Sequence, residues 1–451
     1  MRKKLSKGFD IALKGKALPN TTTEPNTDLY AFKPTDFNGI KRPKVTVQQG
    51  DKVEAGATIF FDKANPKAKF ASPVSGEVVE VIRGEKRVPL EIRILADKET
   101  LYRKFPTYAI DDIQGLSKER ITEILAESGV WPNFIERPFG NIPNPDETPR
   151  DIFITTFDSH PLAPDLNYVF QDEQKYLQAG INALKKLTKG AIHLSLNAKA
   201  QNNPFQKLQN VTFHEFAGPH PAGNVGVQIH HIAPINKGEI VWTISLYGLQ
   251  QIGRLFLEGR YDARKTIAVV GSEVKKPQYH TIISGANIKN LLQNNLTQDN
   301  VRVISGNVLT GDKIKNDGFL SFYATQITVI PEGNYHEFLG WILPSTKKLS
   351  LHRAFGLFSF LAPQKERVLD SNLHGEERAF VETGLFEKLI PMDIYVIYLL
   401  KAIMINDFEE MEALGIYEIL EEDIALCEFA DVSKMEIQKL LRQGLNALQE
   451  A

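Results

Sequence analysis

At 451 residues the chain is too long to bury a single core, and about three domains are expected. Its formal charge of −2 and pI near 6.6 give no electrostatic reason to expect a nucleic-acid partner. The single cysteine, Cys427, excludes an intrachain disulfide framework, a cysteine-ligated zinc site and an iron–sulfur cluster held by this chain's cysteines alone. The protein is therefore expected to face the cytosol, with no redox metal of its own.

The basic start, Met1 to Gly8, has no apolar segment behind it and does not read as a signal peptide. Leu18-Pro19 and the Thr/Asn/Pro tract 20–26 read as a short strand pair and a loop within an N-terminal β region, residues 1–105. From Val45 the pattern sharpens. Val45-Thr46-Val47, Gly50-Asp51-Lys52-Val53 and Gly56 to Phe60 are strand, turn, strand, and Phe70 to Ile82 repeats the theme. V-x-x-G-D-x-V-x-x-G paired with S-P-V-S-G-x-V resembles the biotinyl/lipoyl carrier fold, over about 40–95. Carrier domains of that kind present a modified lysine at a hairpin tip, and Lys63 in Phe61-Asp62-Lys63-Ala64 occupies the matching context. Phe60 stands where an acidic residue is expected, and Asn65 to Lys69 suggests a longer hairpin than a lipoyl tip. A packing module with solvated lysines accounts for the same residues.

Residues 106–150 read as a helix and a linker. Ser117 is the N-cap, Arg120 to Leu125 are helical, Gly129 ends the helix, and prolines 143, 145 and 149 mark a boundary. Between them, Trp131, Phe134 and Phe139 beside Arg137 would make a flat apolar surface with one cationic donor, which suits a quinone ring. Aromatics beside a linker also seal domain interfaces, and that competing use is the commoner one.

Residues 151–259 read as an α/β domain: strands from Asp151 and Ala191, a helix with Asp172 as N-cap and Gly190 beyond its end, the strand 211–216, the strand 242–245 and a helix 246–257. Between 211–216 and a second expected strand, 227–232, lies the loop Gly218-Pro219-His220-Pro221-Ala222-Gly223-Asn224-Val225-Gly226. Its G-x-x-x-x-G frame invites a phosphate, but Asn224 stands where a P-loop needs lysine, and Pro219 and Pro221 remove two N–H donors. Gly218, His220 and Gly223 therefore mark a shaped functional loop without nucleotide chemistry. His230 and His231, adjacent on a strand, would point to opposite faces and not share a metal. No metal site and no catalytic residue is assigned.

Residues 260–333 read as strands, and 334–451 as loop followed by helices. The longest apolar run, Met392 to Ile405, is broken by Asp393 and Lys401 and falls short of the ~20 residues of a membrane span. The acidic run Glu418 to Asp423 reads as a solvated helix start. Phe355 to Leu361 is apolar enough to dock on a membrane partner or to be buried.

Several blocks are family-specific: K-G-x-D-I at 7–11, G-P-H-P-A-G at 218–223, V-W at 241–242, I-G-R-L-F at 252–256, V-I-S-G-x-V-L-x-G at 303–311, F-L-G-W at 338–341 and A-L-C-E-F at 425–429. Together and in this order, along essentially the whole chain, they resemble the A-subunit family of the bacterial Na+-translocating NADH:quinone reductase. That family is in turn similar to the NADH- and FMN-binding subunit of respiratory complex I and to the C subunit of Rnf complexes. The resemblance implies a multidomain α+β chain: the carrier-like β module, a Rossmann-like α/β domain without a nucleotide motif, an SLBB-like β-grasp domain and a C-terminal helical region. It also implies a peripheral, cofactor-free subunit on the cytoplasmic face of the bacterial inner membrane. Its partners would be the other subunits, above all a membrane-embedded one, and ubiquinone, with NADH, flavins and iron–sulfur centres held elsewhere in the complex. The glycine-dense flavin loop and the C-terminal cysteine cluster of the distant relatives are both missing here.

Overall fold

The computed structural model describes residues 1–23, 27–201, 203–339, 348–349, 351, 366–381 and 384–451. The apolar stretch 355–361 and Gly340-Trp341 of F-L-G-W lie outside these. Two small sheets build the N-terminal module. Leu29–Phe32, Pro89–Ala96, Gly76–Arg83 and Lys52–Val53 form one, and Pro43–Val45, Thr58–Asp62 and Asn65–Ala71 form the other. Their inner faces close on stacked aromatics, with Phe60 and Phe70 at 4.3 Å between centroids. The hairpin between the last two strands is tight: Lys63 and Ala64 alone make the turn, and Asn65 to Lys69, expected to enlarge it, belong to the strand.

The central domain is a six-stranded sheet in the order Arg2–Lys4, Thr212–Ala217, Ile192–Asn197, Ile152–Thr155, Val241–Ile244, Phe134–Arg137. All neighbours pair in parallel except the last, which is antiparallel. Strands Ile152–Thr155 and Val241–Ile244 are buried on both faces, as parallel strands between helical layers are. Helix Lys118–Ser128 starts as expected, with Ser117 Oγ accepting from the Arg120 N–H at 3.2 Å, and ends at Gly129 with φ +82°. Helix Gln174–Leu187 begins behind Glu173, with no side-chain cap, so Asp172 is not its N-cap.

Three corrections are tertiary in origin. Residues 225–232 are a helix, Val225–Ile232, not a strand; in so short an apolar run periodicity does not separate the two. The chain start enters two sheets: Arg2–Lys4 edges the central one, and Leu18–Thr23 pairs in parallel with Gln278–Ile283 in the sheet formed with Arg264–Val270, Val301–Ser305, Asp312–Ile314 and Gln326–Pro331. The acidic run 418–423 is not solvated, for helix Glu421–Ala430 begins inside it and Asp423 is buried. The last helices, Val396–Met404, Phe408–Ala413, Glu421–Ala430 and Ile437–Glu450, pack on one another around Ile397, Leu400, Leu441 and Leu445.

Helices Gln174–Leu187 and Leu246–Glu258 cross at backbone contact. A methyl group on Gly253 would stand 1.9 Å from Tyr176 O, and one on Gly180 would stand 2.5 Å from Leu249 O. Neither obstacle is a movable side chain. Gly253→Ala is therefore expected to lower the unfolding free energy by about 1–3 kcal/mol, even though alanine favours an isolated helix over glycine by ~1 kcal/mol. Urea unfolding of the full chain measures it, and an unchanged or higher midpoint would contradict this crossing.

Candidate functional site

Strands Ile152–Thr155, Ile192–Asn197 and Thr212–Ala217 run parallel and end on the same side of the sheet. The carboxyl ends of parallel strands are where α/β folds hold ligands. A cavity of about 340 Å³ lies there, lined among others by Asp10, Leu13, Asp158, His160, Lys199 and Gly218. Gly218, at the start of the loop 218–224, is among its lining residues.

That loop is closed on itself. The His220 N–H donates to Asp10 Oδ1 at 2.8 Å, Ala222 N–H to Pro219 O at 2.9 Å, Gly223 N–H to Ser159 Oγ at 2.8 Å and Asn224 N–H to Pro221 O at 2.9 Å. The donors a phosphate cradle would use are thus engaged within the protein. Gly223 is required by space: a methyl group there would come within 2.6 Å of the Ser159 N. Gly218 is required likewise, with Leu5 at 2.8 Å.

His220 is 1% exposed, and its Nδ1 lies 3.0 Å from Ser159 Oγ. Its ring sits 4.6 Å from that of His160, whose Nδ1 is 2.6 Å from Asp158 Oδ1. Burial and the neighbouring His160 charge push the His220 pKa down to about 3. Burial would also lower His160, but the charge and hydrogen bond of Asp158 outweigh it and the net shift is upward. In Asp158, burial is outweighed by His160 and the shift is downward. A charged Asp158–His160 pair thus stands beside a neutral His220, a group able to hold or release a proton next to the cavity. Residues 158–160 escaped the sequence reading, although Phe157-Asp158-Ser159-His160-Pro161 directly follows a buried strand, the position at which α/β sites form.

The residues 131–139 lie elsewhere. Trp131 and Phe134 are fully buried against Trp242, at 5.4 Å each between centroids, and Trp131 Nε1 donates to Pro143 O at 2.8 Å. Phe139 is half-buried against Tyr417. Arg137, 1% exposed, donates through Nη1 to Asp423 Oδ2 at 3.0 Å and through Nη2 to Glu422 Oε1 at 2.5 Å. These side chains do not form an open flat platform: Trp131 and Phe134 belong to the core of the central domain, and Arg137 and Phe139 seal that domain against the C-terminal helices. Arg442 adds to the seal, donating to Phe139 O at 2.6 Å and to Glu421. The Asp423 carboxylate lies against Gly226 in the first turn of helix Val225–Ile232, where a methyl group would be 2.2 Å from Oδ2. A protein carboxylate thus occupies a helix end of the kind that attracts phosphates.

His230 and His231 belong to this junction. Because they lie on a helix, the strand argument about their faces does not apply. His230 Nδ1 is 2.6 Å from Glu418 Oε2, and His231 Nε2 sits 2.8 Å from Pro391 O. Among the described residues no group of three His, Cys, Asp or Glu could hold a metal. Cys427 is buried, and burial pushes its thiol pKa well up, away from a reactive thiolate.

Two outcomes are expected. Arg137→Met leaves two carboxylates without their cation and lowers stability by about 3–5 kcal/mol, measured by denaturant unfolding; a loss under about 1 kcal/mol would mean the ion cluster is solvated. Asp158→Asn lowers the His160 titration midpoint followed by NMR. The sign of the stability change follows from the shifts. The raised His160 stabilises the fold below about 6.5 and loses this as pH rises through its folded pKa, while the lowered Asp158 stabilises above about 3.9 and loses it as pH falls through its own. The deficit of the variant should therefore be largest between these values and shrink at higher pH; a deficit that grows above neutrality contradicts the pairing.

Comparison with known proteins gives concordant results. Residues 3–97 match the family profile described as the NqrA N-terminal barrel-sandwich hybrid domain, 116–261 the NqrA second alpha/beta domain, and 266–316 the NQRA C-terminal domain. The chain is 35% identical to the A subunit of the Na(+)-translocating NADH-quinone reductase of Rhodopirellula baltica, over 99% of this chain and 98% of that one. Identity is 35% with the protein of the same name from Neisseria meningitidis and 33% with that from Yersinia pestis, each over 99% of both chains. Among solved structures, an NAD+-reducing [NiFe]-hydrogenase in the H2-reduced state overlaps 50% of this chain and 49% of its own at TM-score 0.36 and 13% identity, too little to carry an argument. Near-complete coverage at this identity, joined to three consecutive domain matches, places the chain in the family of Na(+)-translocating NADH-quinone reductase A subunits.

Proposed function

We propose that this chain is the peripheral, cofactor-free subunit of a Na+-translocating NADH:ubiquinone reductase. In this reading it sits on the cytoplasmic face of the bacterial inner membrane and works in assembly and in contact with ubiquinone. NADH, the flavins and the iron–sulfur centres belong to other subunits, and a membrane-embedded subunit is its main neighbour. The finer fold reading, a Rossmann-like core at 151–259 and an SLBB-like β-grasp at 260–333, goes with it, as does the division at 105, 150, 259 and 333.

The observation that carries the cofactor-free reading is the state of the ligand end of the sheet. The loop N–H groups at 220 and 222–224 are bonded within the chain, and Asp423 fills the first turn of the following helix. These engaged donors and the nearby Asp423 charge disfavour a flavin or dinucleotide phosphate at that loop. In addition, no helix among the described residues is long and apolar enough to cross a membrane, consistent with a peripheral role.

For quinone, two places compete. The 131–139 segment has the aromatic and cationic chemistry, but Trp131 and Phe134 are packed in the central core and Arg137 is sealed by the C-terminal helices, so a ring would need the segment to unpack. The strand-end cavity is open and combines Leu13, Phe157 and Leu162 with polar groups. A photoreactive quinone applied to the assembled complex separates them: label on peptides around 131–139 or 157–163 supports the contact, and label confined to other subunits removes quinone from the role. Spectra of the purified chain test the first half: absorbance at flavin wavelengths in stoichiometric amount would overturn it.

One observation keeps a second reading in view. Lys63 is exposed in the two-residue turn of a hairpin in the carrier-like module. A lipoyl or biotinyl modification at Lys63 would raise the intact mass by a defined increment, whereas the peripheral-subunit reading expects the bare polypeptide.

A further inference from the structure

The helix Val396–Met404 has two faces of unlike use. Val396, Ile397, Leu399, Leu400 and Ile403 point into the C-terminal core. On the other side Tyr395 is 58% exposed and Ile405 73%, with Tyr398, Met404 and Phe408 also exposed. Positions 395, 398, 401 and 405 fall on one helical stripe, and the Tyr395 and Tyr398 rings meet edge to face at 6.3 Å. Lys401 Nζ lies 5.8 Å from the Tyr398 ring, so the one cation of the stripe rests on an aromatic. Scattered exposed apolar residues need no explanation, but a contiguous aromatic and aliphatic stripe marks a surface meant to be covered.

The rim shows what kind of partner covers it. Asp407, Glu409 and Glu410 stand exposed at its end, on the turn into helix Phe408–Ala413, and among the described residues none of them has a basic ion-pair partner. Glu412, further along, is already held by Lys237 at 2.8 Å. An anionic lipid surface would be repelled by this acidic rim, while a basic segment would be attracted and steered to it. Membrane proteins carry such segments on their cytoplasmic side, where Lys and Arg accumulate next to apolar helices.

We propose that the stripe Tyr395–Tyr398–Met404–Ile405–Phe408, with its acidic rim, docks a basic amphipathic segment of another member of the complex. Tyrosines and Ile405 take the apolar side chains of that segment, and Asp407, Glu409 and Glu410 pair with its cations. The proposal rests on the assembly role given above and names the surface that performs it.

The test uses the tagged full chain assembled into the complex, with p-benzoylphenylalanine replacing Tyr398 in one version and Ile405 in another. Illumination and mass mapping are expected to give cross-links to one segment of a partner protein of the complex, with Lys or Arg beside apolar residues. The double change Glu409→Lys, Glu410→Lys should weaken retention of that partner by about tenfold or more, because it sets like charges against the segment, and retention in the wild type should fall with added salt. These residues are exposed, so the unfolding midpoint serves as a check that the fold is unchanged, and Tyr398→Phe should retain the partner. Cross-links to lipid, to a second copy of this chain or to a segment without basic residues would each overturn the proposal, as would no cross-link in a complex that still assembles. If even the unaltered chain recovers no other members of the complex, the assembly role fails and the surface with it.

Discussion

The buried ion cluster of Arg137, Glu422 and Asp423 is the constraint around which the molecule is arranged. Its cation ends the antiparallel edge strand of the central sheet, and its anions open a helix of the C-terminal region. Taking such charges out of water is costly, and the cluster is tolerated because its buried members are bonded more than once. Asp423 accepts from Arg137, from the Leu420 N–H that starts its own helix, and from Asn224 Nδ2. It also lies against Gly226 in the first turn of helix Val225–Ile232. Remove any partner and a bare charge is left in the interior.

The same carboxylate stands near the ligand end of the sheet. An α/β domain normally offers the ends of its parallel strands and the start of the next helix to an anionic ligand. Here the helix start is taken from within the chain, and the loop before it has spent its N–H groups on Asp10, Ser159 and its own carbonyls. What remains is a cavity bounded by side chains, with an acid–base pair at Asp158 and His160 and a neutral His220 behind it.

The C-terminal helices have correspondingly two tasks. Inward, they clamp the Arg137–Phe139 end of the 131–139 segment through Arg442, Tyr417 and Glu422, while Trp131 and Phe134 are interior because they pack against Trp242. Outward, they carry the apolar stripe of helix Val396–Met404. Both follow from a sequence in which this region is apolar on more than one face, far beyond what a free-standing helical tail would need.

Read alone, the sequence determined whatever depends on neighbours in the chain. The Ser117 cap, the Gly129 stop, the carrier-like strand pairs, the lack of lysine at Asn224, the single cysteine and the ordered family blocks are local facts, and local physics suffices to interpret them. Tertiary structure decided what depends on contacts hundreds of residues apart. Whether 225–232 would be helix or strand, whether Arg137 would face solvent or Asp423, and which sheets Arg2–Lys4 and Leu18–Thr23 would join were settled by burial against partners from distant parts of the chain. Residues 158–160 fall between the two: their position after a strand was visible, but the pairing of Asp158 with His160 and the approach of His220 exist only once separate strand ends are brought to one edge of the sheet. A short apolar run or a lone charge carries no record of its eventual partner, because the energy that fixes it comes from the desolvation both undergo together.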